Sequence, residues 1–383
     1  MKTGIIGSGA MGSGIAQVLA SAGHEVAIFD TNPTALSKSK SLLKSSFEKL
    51  AEKGKISKEQ AEEFWGRISF TETLNGLKEA SLVIEAIVEE LSIKQQVFKN
   101  IEAVVSKDCI IATNTSSLSI ASIAAACAAP ERVIGIHFFN PAPIMALVEI
   151  IPAVQTRAGL AEDVKAWVNS WGKLPVITKD TPGFIVNRVA RPFYSEAIRI
   201  YEEGMADCAT IDAAMTNMGG FKMGPFALMD FIGHDVNYRV TESVFNSFFY
   251  DPRFKPSLSQ KRLFEAGYYG KKTGRGFYNY TEGAERITAI EDKVLQQKIV
   301  NRILAMLINE AADALFLNIA TREDLEIAMT KGVNYPKGLL AWGDEIGWSN
   351  ILQQLDELYH YYHEDRYRAS PWIRNKVAES STH

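Results

Sequence analysis

Two residues of this 383-residue chain, His137 and Glu149, have the types and the spacing of an acid/base pair. His137 ends a β-rich apolar run, and Glu149 lies in the next such run, beyond a Pro-bounded turn. A returning strand would bring the two side chains together. A carboxylate that orients a histidine and stabilises its protonated ring makes that ring a good base, and hydride loss from an alcohol needs such a base. An isolated strand-end histidine, by contrast, is more often structural.

Two further polar side chains are candidates for contact with a reacting oxygen. Ser116 follows the strand-like run 110–113, at the carboxyl end of the predicted sheet, where ligands bind in doubly wound folds. The competing role in that serine cluster is a helix N-cap, which Ser117 or Ser119 would also fill. Asn187 lies in an apolar helical run, where its amide needs a partner. A substrate oxygen and a neighbouring helix are the two interpretations.

The chain opens with a glycine-rich turn of the kind that binds dinucleotides. Gly7, Gly9 and Gly12, with Ala10 and Met11 before the last glycine, form GxGxxG between a strand-like run and a helical one. The absent side chains allow a tight turn, close backbone approach and helix–strand packing, and the helix N-terminus favours phosphate charge. A glycine turn without a ligand is the competing interpretation.

An acidic residue discriminates between the dinucleotides. Asp30 ends the second strand-like run, where it would accept hydrogen bonds from ribose hydroxyls. A carboxylate there repels a 2′-phosphate, and no arginine follows it. The sequence therefore predicts NAD rather than NADP, with FAD, which uses a similar fingerprint, as another interpretation.

The elements that position these residues follow from hydrophobic patterning. The predicted strands are residues 3–7, 25–29, 82–86, 110–113, 133–137, 147–151 and 176–178. The predicted helices in the same half are residues 12–22, 33–53, 93–105 and 162–174. Strand–helix alternation predicts a doubly wound parallel sheet. After residue 180 the strand-like runs end and helical periodicity takes over.

The helical half contains an internal repeat at an offset of 114 (299 − 185). Residues 185–188 recur as 299–302, and four further matches keep that offset. This pattern predicts a duplicated helical domain. The predicted domains are residues 1–181, 182–285 and 286–383. Asn301 repeats Asn187 without a strand-borne histidine before it, so we expect only the first copy to serve chemistry.

Composition limits the class of protein. Apolar residues make up 46% of the chain, enough for a large core, and no apolar run is long enough to span a membrane. The net charge of −4 argues against a nucleic-acid partner. The three cysteines lack metal-ligand spacing, so no metal is expected. Because the first strand-like run begins almost at Met1, we expect no secretory signal and a cytoplasmic location.

These residues together resemble the L-3-hydroxyacyl-CoA dehydrogenase family, which includes bacterial 3-hydroxybutyryl-CoA dehydrogenases. The resemblance covers residues 1 to about 280. It is carried by the glycine fingerprint, residues 114–118, residues 137–141 with Glu149, residues 180–188 and residues 271–278. It implies a Rossmann-type domain followed by an all-α domain, here in two tandem copies. It also implies reversible NAD-dependent oxidation of an L-3-hydroxyacyl-CoA, in fatty acid β-oxidation or butanoate-type metabolism.

The resemblance also implies residue roles. His137 is the acid/base and Glu149 its orienting partner, while Ser116 and Asn187 contact the substrate oxygen. The NAD site is lined, besides the fingerprint and the acid that follows it, by Glu89, Lys94, Ser116, Asn140 and Lys272. The positions that touch coenzyme A are Ser46 and Lys53. A solvated lysine is the competing interpretation of Lys53.

Several alternatives stay open at this point. The same scaffold serves NAD-dependent dehydrogenases of free hydroxy acids, of the gulonate or carnitine type, and also a non-enzymatic structural protein. The acyl chain length, a terminal carboxylate on it and the physiological direction are unassigned. The chain is either a homodimer or a monomer in which the second helical copy packs on the first as an internal pseudo-dimer.

Overall fold

The computed structural model of the chain describes residues 1–285 and 287–380. The chain divides into two compact units, Met1–Phe184 and Ile185–His383. The first unit combines a sheet with helices, whereas the described part of the second is helical apart from two isolated β-bridges.

The first unit contains eight strands and six α-helices. The strands are β1 (Lys2–Ile6), β2 (Glu25–Phe29), β3 (Ile68–Thr71), β4 (Leu82–Glu85), β5 (Ile110–Thr113), β6 (Val133–Phe138), β7 (Leu147–Pro152) and β8 (Leu174–Ile177). The helices are α1 (Ala10–Ser21), α2 (Pro33–Glu52), α3 (Lys58–Gly66), α4 (Leu91–Glu102), α5 (Ile120–Ala124) and α6 (Leu160–Ser170). Short 3₁₀ helices lie at Leu74–Leu77 and Pro130–Arg132.

The eight strands form one sheet in the order β3-β2-β1-β4-β5-β6-β7-β8. Every neighbouring pair is parallel except β6 and β7, which are antiparallel. The strand order reverses between β1 and β4, which makes the carboxyl ends of these strands the ligand-binding edge of such a fold. Buried apolar clusters cover both faces, as a parallel sheet requires. The predicted doubly wound sheet is confirmed, with the last two strands, β7 and β8, running opposite to the other six.

The predicted elements are all present, but three others were missed: β3, α3 and α5. β3 and α5 have only four and five residues, too few for a periodic pattern to stand out, and Ile68 alone is buried in β3. The predicted helix 162–174 was too long. α6 ends at Ser170, because Gly172 takes a positive φ of 74° and Leu174 already begins β8.

The second unit is built from eleven α-helices among the residues described. They are α7 (Val186–Val189), α8 (Arg191–Glu202), α9 (Cys208–Asn217), α10 (Pro225–Ile232), α11 (His234–Ser247), α12 (Leu258–Glu265), α13 (Lys293–Phe316), α14 (Arg322–Ile327), α15 (Leu339–Ile346), α16 (Trp348–Tyr362) and α17 (Pro371–Ser380). Shorter turns are the 3₁₀ helices Pro252–Phe254, Lys271–Thr273 and Asp365–Tyr367 and the π-helix Ala328–Gly332.

The central element of this unit is α13, which packs on α8, α9, α15 and α17. Two buried ion pairs tie it to the segment α7–α8. Arg188 Nε donates to Glu310 Oε1 over 2.6 Å, and Arg302 Nε donates to Glu196 Oε1 over the same distance. Because the four side chains are almost fully buried, each charge depends on its partner for stabilisation.

The three cysteines are buried thiols. Burial raises the pKa of Cys109 and of Cys127 to about 11, and that of Cys208 to about 12. Such protonated thiols are poor nucleophiles. Within residues 1–285 and 287–380, no group of three His, Cys, Asp or Glu side chains is placed to hold a metal ion. No helix in that part of the chain is long and apolar enough to cross a membrane.

The buried ion pairs predict a large stability difference between two arginine substitutions. Arg302→Met leaves the buried Glu196 carboxylate without its cationic partner and, among the described residues, with only the Tyr367 hydroxyl as a donor, so we expect a loss of about 3–5 kcal/mol in the free energy of unfolding, measured by chemical denaturation. Arg374→Met is the matched control. Its partner Asp356 lies in an exposed pair, so we expect a loss below about 1 kcal/mol. Equal losses would contradict a structural role for the buried pair.

Candidate active site

The paired strands β6 and β7 place His137 directly opposite Glu149. Side chains of directly paired residues share one face of a sheet, so the two can meet. His137 Nδ1 lies 2.7 Å from Glu149 Oε2, and the residues are 6% and 1% exposed. The ring also packs beside Phe139 and Phe184, at centroid distances of 4.6 and 5.9 Å. The contact predicted from the sequence is therefore present.

The hydrogen bond to Glu149 decides how the histidine can act. With Nδ1–H donating to the carboxylate, Nε2 is the basic nitrogen of the neutral ring. Protonation at Nε2 would then be stabilised by a buried carboxylate at hydrogen-bond distance. A residue that the sequence analysis gave no role, Asn114, fixes the end of β6, because its Oδ1 accepts a hydrogen bond from the Phe138 amide over 2.8 Å.

The three glycines of the fingerprint have different physical reasons to be there. A Cβ on Gly7, whose φ is +99°, would lie 2.6 Å from the Ala86 carbonyl oxygen, and one on Gly12 would lie 1.9 Å from the Gly7 carbonyl oxygen. Packing within the protein therefore requires both. A Cβ on Gly9 would meet no protein atom within 4 Å. The lack of a side chain at Gly9, the N-cap of α1, keeps space open for something other than the protein itself.

A groove of about 520 Å³ extends from this glycine loop along α2. Gly9 and Ala10 line one end, Met11 follows in the first turn of α1, and Ser46 lines the other end. Ser46 Oγ donates to Gln17 Oε1 over 3.0 Å. The groove thus joins the cofactor fingerprint to one of the two residues predicted to touch coenzyme A. The other, Lys53, is the exposed C-cap residue of α2 and does not line this groove.

Asp30 is tied to the glycine loop. Its Oδ2 accepts hydrogen bonds from the amide and hydroxyl of Ser8 over 2.8 and 2.7 Å, and its Oδ1 accepts from the Asn32 amide over 2.9 Å. Although partial burial opposes ionisation, these hydrogen bonds hold the pKa of Asp30 below its ordinary value. A carboxylate therefore stands at the end of β2, where it can accept from a ribose and repel a 2′-phosphate.

Two of the predicted cofactor residues, Glu89 and Lys94, belong to a cluster of charges below the carboxyl end of β4. Lys94 is 1% exposed, and its Nζ lies 2.6 Å from Glu85 Oε1 and 3.3 Å from Glu89 Oε2. Glu85 Oε2 also accepts from the Thr113 hydroxyl over 2.7 Å. The sequence analysis missed Glu85. The available signal was an acidic residue inside an otherwise apolar strand-like run.

Glu89 in turn shapes the loop that carries Ser116. Its Oε1 accepts hydrogen bonds from the Thr115 hydroxyl over 2.6 Å, from the Ser116 amide over 2.9 Å and from the Ser117 amide over 3.1 Å. Burial opposes ionisation here, but Lys94 and these hydrogen bonds hold the pKa of Glu89 below its ordinary value. Ser116, Glu89 and Lys94 are therefore brought together.

The N-cap of the following helix is Ser119, not Ser116. Ser119 Oγ accepts from the Ser122 amide over 3.2 Å at the start of α5. Asp180, which belongs to a family-like motif but had been given no role, supplements this cap. Its carboxylate accepts from the amides of Ile120 and Ala121 over 3.0 and 2.8 Å. The loop that presents Ser116 is thus held at both ends.

The remaining predicted residues lie elsewhere. Asn140 is exposed in the turn between β6 and β7 and precedes Pro141 through a cis peptide bond. In the second unit, Asn187 is the second residue of α7 and is half-buried. Lys272 is exposed in the 3₁₀ helix Lys271–Thr273 and pairs with Asp235.

Comparison with protein families matches the chain to two family models, one of which matches two separate segments. Residues 2–181 match the model of the 3-hydroxyacyl-CoA dehydrogenase NAD-binding domain. Residues 183–280 and 299–382 both match the model of the 3-hydroxyacyl-CoA dehydrogenase C-terminal domain. The two matches together span nearly the whole chain.

Individual relatives agree with these matches. The 3-hydroxyadipyl-CoA dehydrogenase of Escherichia coli K12 is 37% identical over 97% of this chain and 96% of its own length. The 3-hydroxybutyryl-CoA dehydrogenase of Clostridioides difficile is 40% identical over 74% of this chain and all of its own. A crystal structure of 3-hydroxybutyryl-CoA dehydrogenase from E. coli K12 has a TM-score of 0.95 and 36% identity, covering 100% of this chain and 99% of that one.

The glycine geometry predicts that Gly9→Ala weakens cofactor binding without unfolding the protein. The new methyl group meets no protein atom, but it enters the space that a bound dinucleotide would occupy. We expect the NADH Kd from a fluorescence titration to rise roughly tenfold or more, with an unchanged melting temperature. Gly66→Ala in α3, which also meets no protein atom, is the control and should change neither value. Wild-type NADH affinity in Gly9→Ala would count against the assignment.

Proposed function

The chain belongs to the 3-hydroxyacyl-CoA dehydrogenase family, and we propose that His137 is the acid/base in its reversible NAD-dependent oxidation of an L-3-hydroxyacyl-CoA to the 3-ketoacyl-CoA. The observation that carries the proposal is the 2.7 Å hydrogen bond between His137 Nδ1 and Glu149 Oε2. It leaves Nε2 as the nitrogen that accepts a proton. A buried carboxylate partner alone does not mark a catalytic histidine, since His234 and Asp230 form a fully buried pair over 2.8 Å in the helical unit. His137 differs from His234 because it lies near the carboxyl end of β6, at the ligand-binding edge of the sheet.

The residues divide the chemistry as follows. His137 Nε2 removes the proton of the 3-hydroxyl group, and the Glu149 carboxylate stabilises the resulting imidazolium. NAD, when bound, supplies the hydride acceptor. The Ser116 hydroxyl and the Asn187 amide donate hydrogen bonds to the substrate oxygen and hold it in place. In the reverse direction the imidazolium returns its proton to the same oxygen.

We assign residues to the binding of the cofactor and of coenzyme A, and the structural evidence for these assignments differs from residue to residue. The glycine loop provides free amides at the start of α1 for the pyrophosphate, and Asp30 accepts from the adenosine ribose. We assign Glu89, Lys94, Asn140 and Lys272 to the rest of the NAD site. For coenzyme A, Ser46 is supported by the groove that it lines. Lys53 rests on the family resemblance alone.

The relatives narrow the substrate to acyl thioesters. Their names include a 3-hydroxybutyryl-CoA and a 3-hydroxyadipyl-CoA dehydrogenase, and the second acts on an acyl group that ends in a carboxylate. The alternative of a free hydroxy acid of the gulonate or carnitine type gains no support from these comparisons. We place the enzyme in the cytoplasm, in keeping with its reduced, buried cysteines.

The helical unit contains two tandem copies of one domain in our proposal, with domains at 1–181, 182–285 and 286–383. Helices recur at the offset of the sequence repeat. α10 spans Pro225–Ile232 and α15 spans Leu339–Ile346, so the first and last residues of α15 both lie 114 positions after those of α10. α11 begins at His234 and α16 begins at Trp348, again at that offset. The two separate matches to the C-terminal domain model also favour a duplication.

The contacts between the halves are reciprocal, as in an isologous dimer. Arg188 and Arg302 are repeat partners, as are Glu196 and Glu310, and each arginine pairs with the glutamate of the other half. The repeat-related rings of Phe221 and Tyr335 also contact each other, at a centroid distance of 4.9 Å.

The two halves also correspond in the carboxylates that accept hydrogen bonds from the first turns of α10 and α15. Asp212 accepts from the Ala227 amide, and Glu326 accepts from the Ala341 amide at the equivalent position. We infer that the second half occupies, within one chain, the place of a partner subunit. Whether the chain is a monomer or assembles further, its partner surface in the first helical copy is then already covered.

The acid/base role predicts a loss of turnover in His137→Gln and in Glu149→Gln. Each substitution removes one member of the pair, so we expect kcat to fall by about 10²–10⁴ in steady-state assays, because general acid–base catalysis contributes that much. His360→Gln, which changes an exposed histidine of α16, is the control and should retain wild-type kcat. A kcat within about threefold of wild type for His137→Gln would refute the assignment.

The substrate class predicts which ketones the enzyme reduces. With NADH as donor, we expect turnover of acetoacetyl-CoA and none of the free acid acetoacetate. The free acid lacks the coenzyme A portion, which in our proposal binds in the groove at Ser46. The measurement is NADH oxidation followed by absorbance, with NADPH as the cofactor control. Faster reduction of the free acid than of the thioester would reject the proposed function in favour of the alternative.

A further inference from the structure

Arg191, the first residue of α8, is a buried cation without an anion. Five buried arginines occur in the described residues, and four of them pair with a carboxylate: Arg132, Arg188, Arg302 and Arg366. Arg191 is 6% exposed, and within residues 1–285 and 287–380 no ion pair includes it. Its Nη1 donates to Thr241 Oγ1 over 3.2 Å, its guanidinium lies 4.9 Å from the Tyr194 ring centroid, and its Nε lacks a hydrogen-bond partner.

A second polar group without a partner belongs to the same buried cluster of side chains. The Tyr335 hydroxyl is buried and, in the described structure, makes no hydrogen bond. Ring contacts connect Tyr335 through Phe193 to Tyr194, the ring on which the Arg191 guanidinium lies. The Tyr335 ring packs against Phe193 and Phe221, at centroid distances of 5.8 and 4.9 Å. A guanidinium and a phenol hydroxyl together complement one kind of group well, a carboxylate.

Leaving this cation unpaired has a physical cost. Burial lowers the pKa of Arg191 from its ordinary value, because the charge is desolvated and no carboxylate compensates. Buried charges in proteins are normally paired, and an unpaired one destabilises the fold. A group that destabilises the protein alone but would be neutralised by a ligand is typical of a binding site.

The repeat provides an internal comparison. The positions 114 residues from Arg191 and Tyr335 are Ala305 and Phe221, and both are buried. Arg191 belongs to the first copy and Tyr335 to the second, and the repeat-related positions, also one from each copy, hold two apolar side chains. The helical scaffold therefore does not require a cation and a hydroxyl at such a pair of positions.

We propose that Arg191 and Tyr335 bind the terminal carboxylate of the acyl group, which makes a 3-hydroxydicarboxylyl-CoA the preferred substrate class. This inference rests on the proposed function, in which Asn187 contacts the 3-oxygen. Arg191 follows Asn187 by four residues, and Ala190 between α7 and α8 keeps a helix-like backbone (φ −80°, ψ −10°), so the two lie about 6 Å apart along the axis. A carboxyl carbon three C–C bonds beyond the 3-carbon extends roughly 4 Å, within reach of an arginine side chain.

Access to the pair involves the segment that carries Tyr335. Tyr335 lies between the π-helix Ala328–Gly332 and α15, next to Asn334, whose φ is +56°. Because Arg191 and Tyr335 are both covered, binding of a carboxylate entails displacement of the Tyr335 ring. A methyl-ended acyl group gains nothing from that displacement, since it cannot neutralise Arg191.

The test compares two six-carbon substrates that differ only at the far end, 3-hydroxyadipyl-CoA and 3-hydroxyhexanoyl-CoA. We expect the wild-type kcat/KM to favour the carboxylate by about tenfold or more, since a hydrogen bond to a charged group discriminates by that order. Arg191→Met should abolish the preference, and Tyr335→Phe should reduce it. Arg239→Met, which changes an exposed arginine of α11, is the matched control and should keep the wild-type ratio.

A binding measurement on the wild-type protein tests the inference even if the substituted proteins fail to fold. Adipyl-CoA and hexanoyl-CoA lack the 3-hydroxyl group, so calorimetry with each reports recognition of the far end alone. Tighter binding of adipyl-CoA is expected. Equal binding, or an unchanged kcat/KM ratio in a folded Arg191→Met protein, overturns the inference. If neither hydroxyacyl-CoA is oxidised, the proposed function fails instead, while the calorimetric comparison still decides the carboxylate site.

Discussion

One reversal of strand direction, between β6 and β7, brings His137 and Glu149 together in an otherwise parallel sheet. Because β7 runs antiparallel to β6, a short turn suffices to put Glu149 opposite His137. A parallel neighbour would need a crossover of a dozen or more residues. Both side chains are buried, so each depends on the other: the carboxylate needs a donor, and the imidazolium needs an anion. The glycine loop and the Ser116 loop lie on strands of the same sheet, so its register orients all of them toward one edge.

The loop and the helix start that follow β5 at this edge of the sheet are fixed by carboxylates, which accept hydrogen bonds from their backbone amides. Glu89 binds the loop at residues 115–117, and Asp180 binds the start of α5. Buried Lys94 compensates the charge of Glu89 and is itself neutralised by Glu85. The position of Ser116 is thus set by groups that need not touch the substrate. Support of this kind keeps a side chain in place when ligands enter and leave.

The sequence predicted the features that depend on short-range pattern. Strands and long helices were located because their periodicity is local, and the His137–Glu149 contact followed from two runs joined by a turn. Short elements such as β3 and α5 were missed because four or five residues carry too little pattern. The amides that Asp180 accepts from are 59 and 60 residues away, and no local rule predicts such a contact. Arg191 lacks a carboxylate partner, and this can be recognised only from the folded structure, where the position of every acidic side chain around it is known.

The buried pairing of α7–α8 with α13 also affects how the chain is made. Arg188 and its partner Glu310 are 122 residues apart in the sequence. At a synthesis rate of ~5–20 residues per second, Glu310 emerges from the ribosome roughly 6–24 s after Arg188. During that interval the apolar face of α8 that α13 covers is open to water, and Arg188 has no counter-charge. We therefore expect the nascent first helical half to expose apolar surface that chaperones can shield, and a fragment released within this interval to be prone to aggregation.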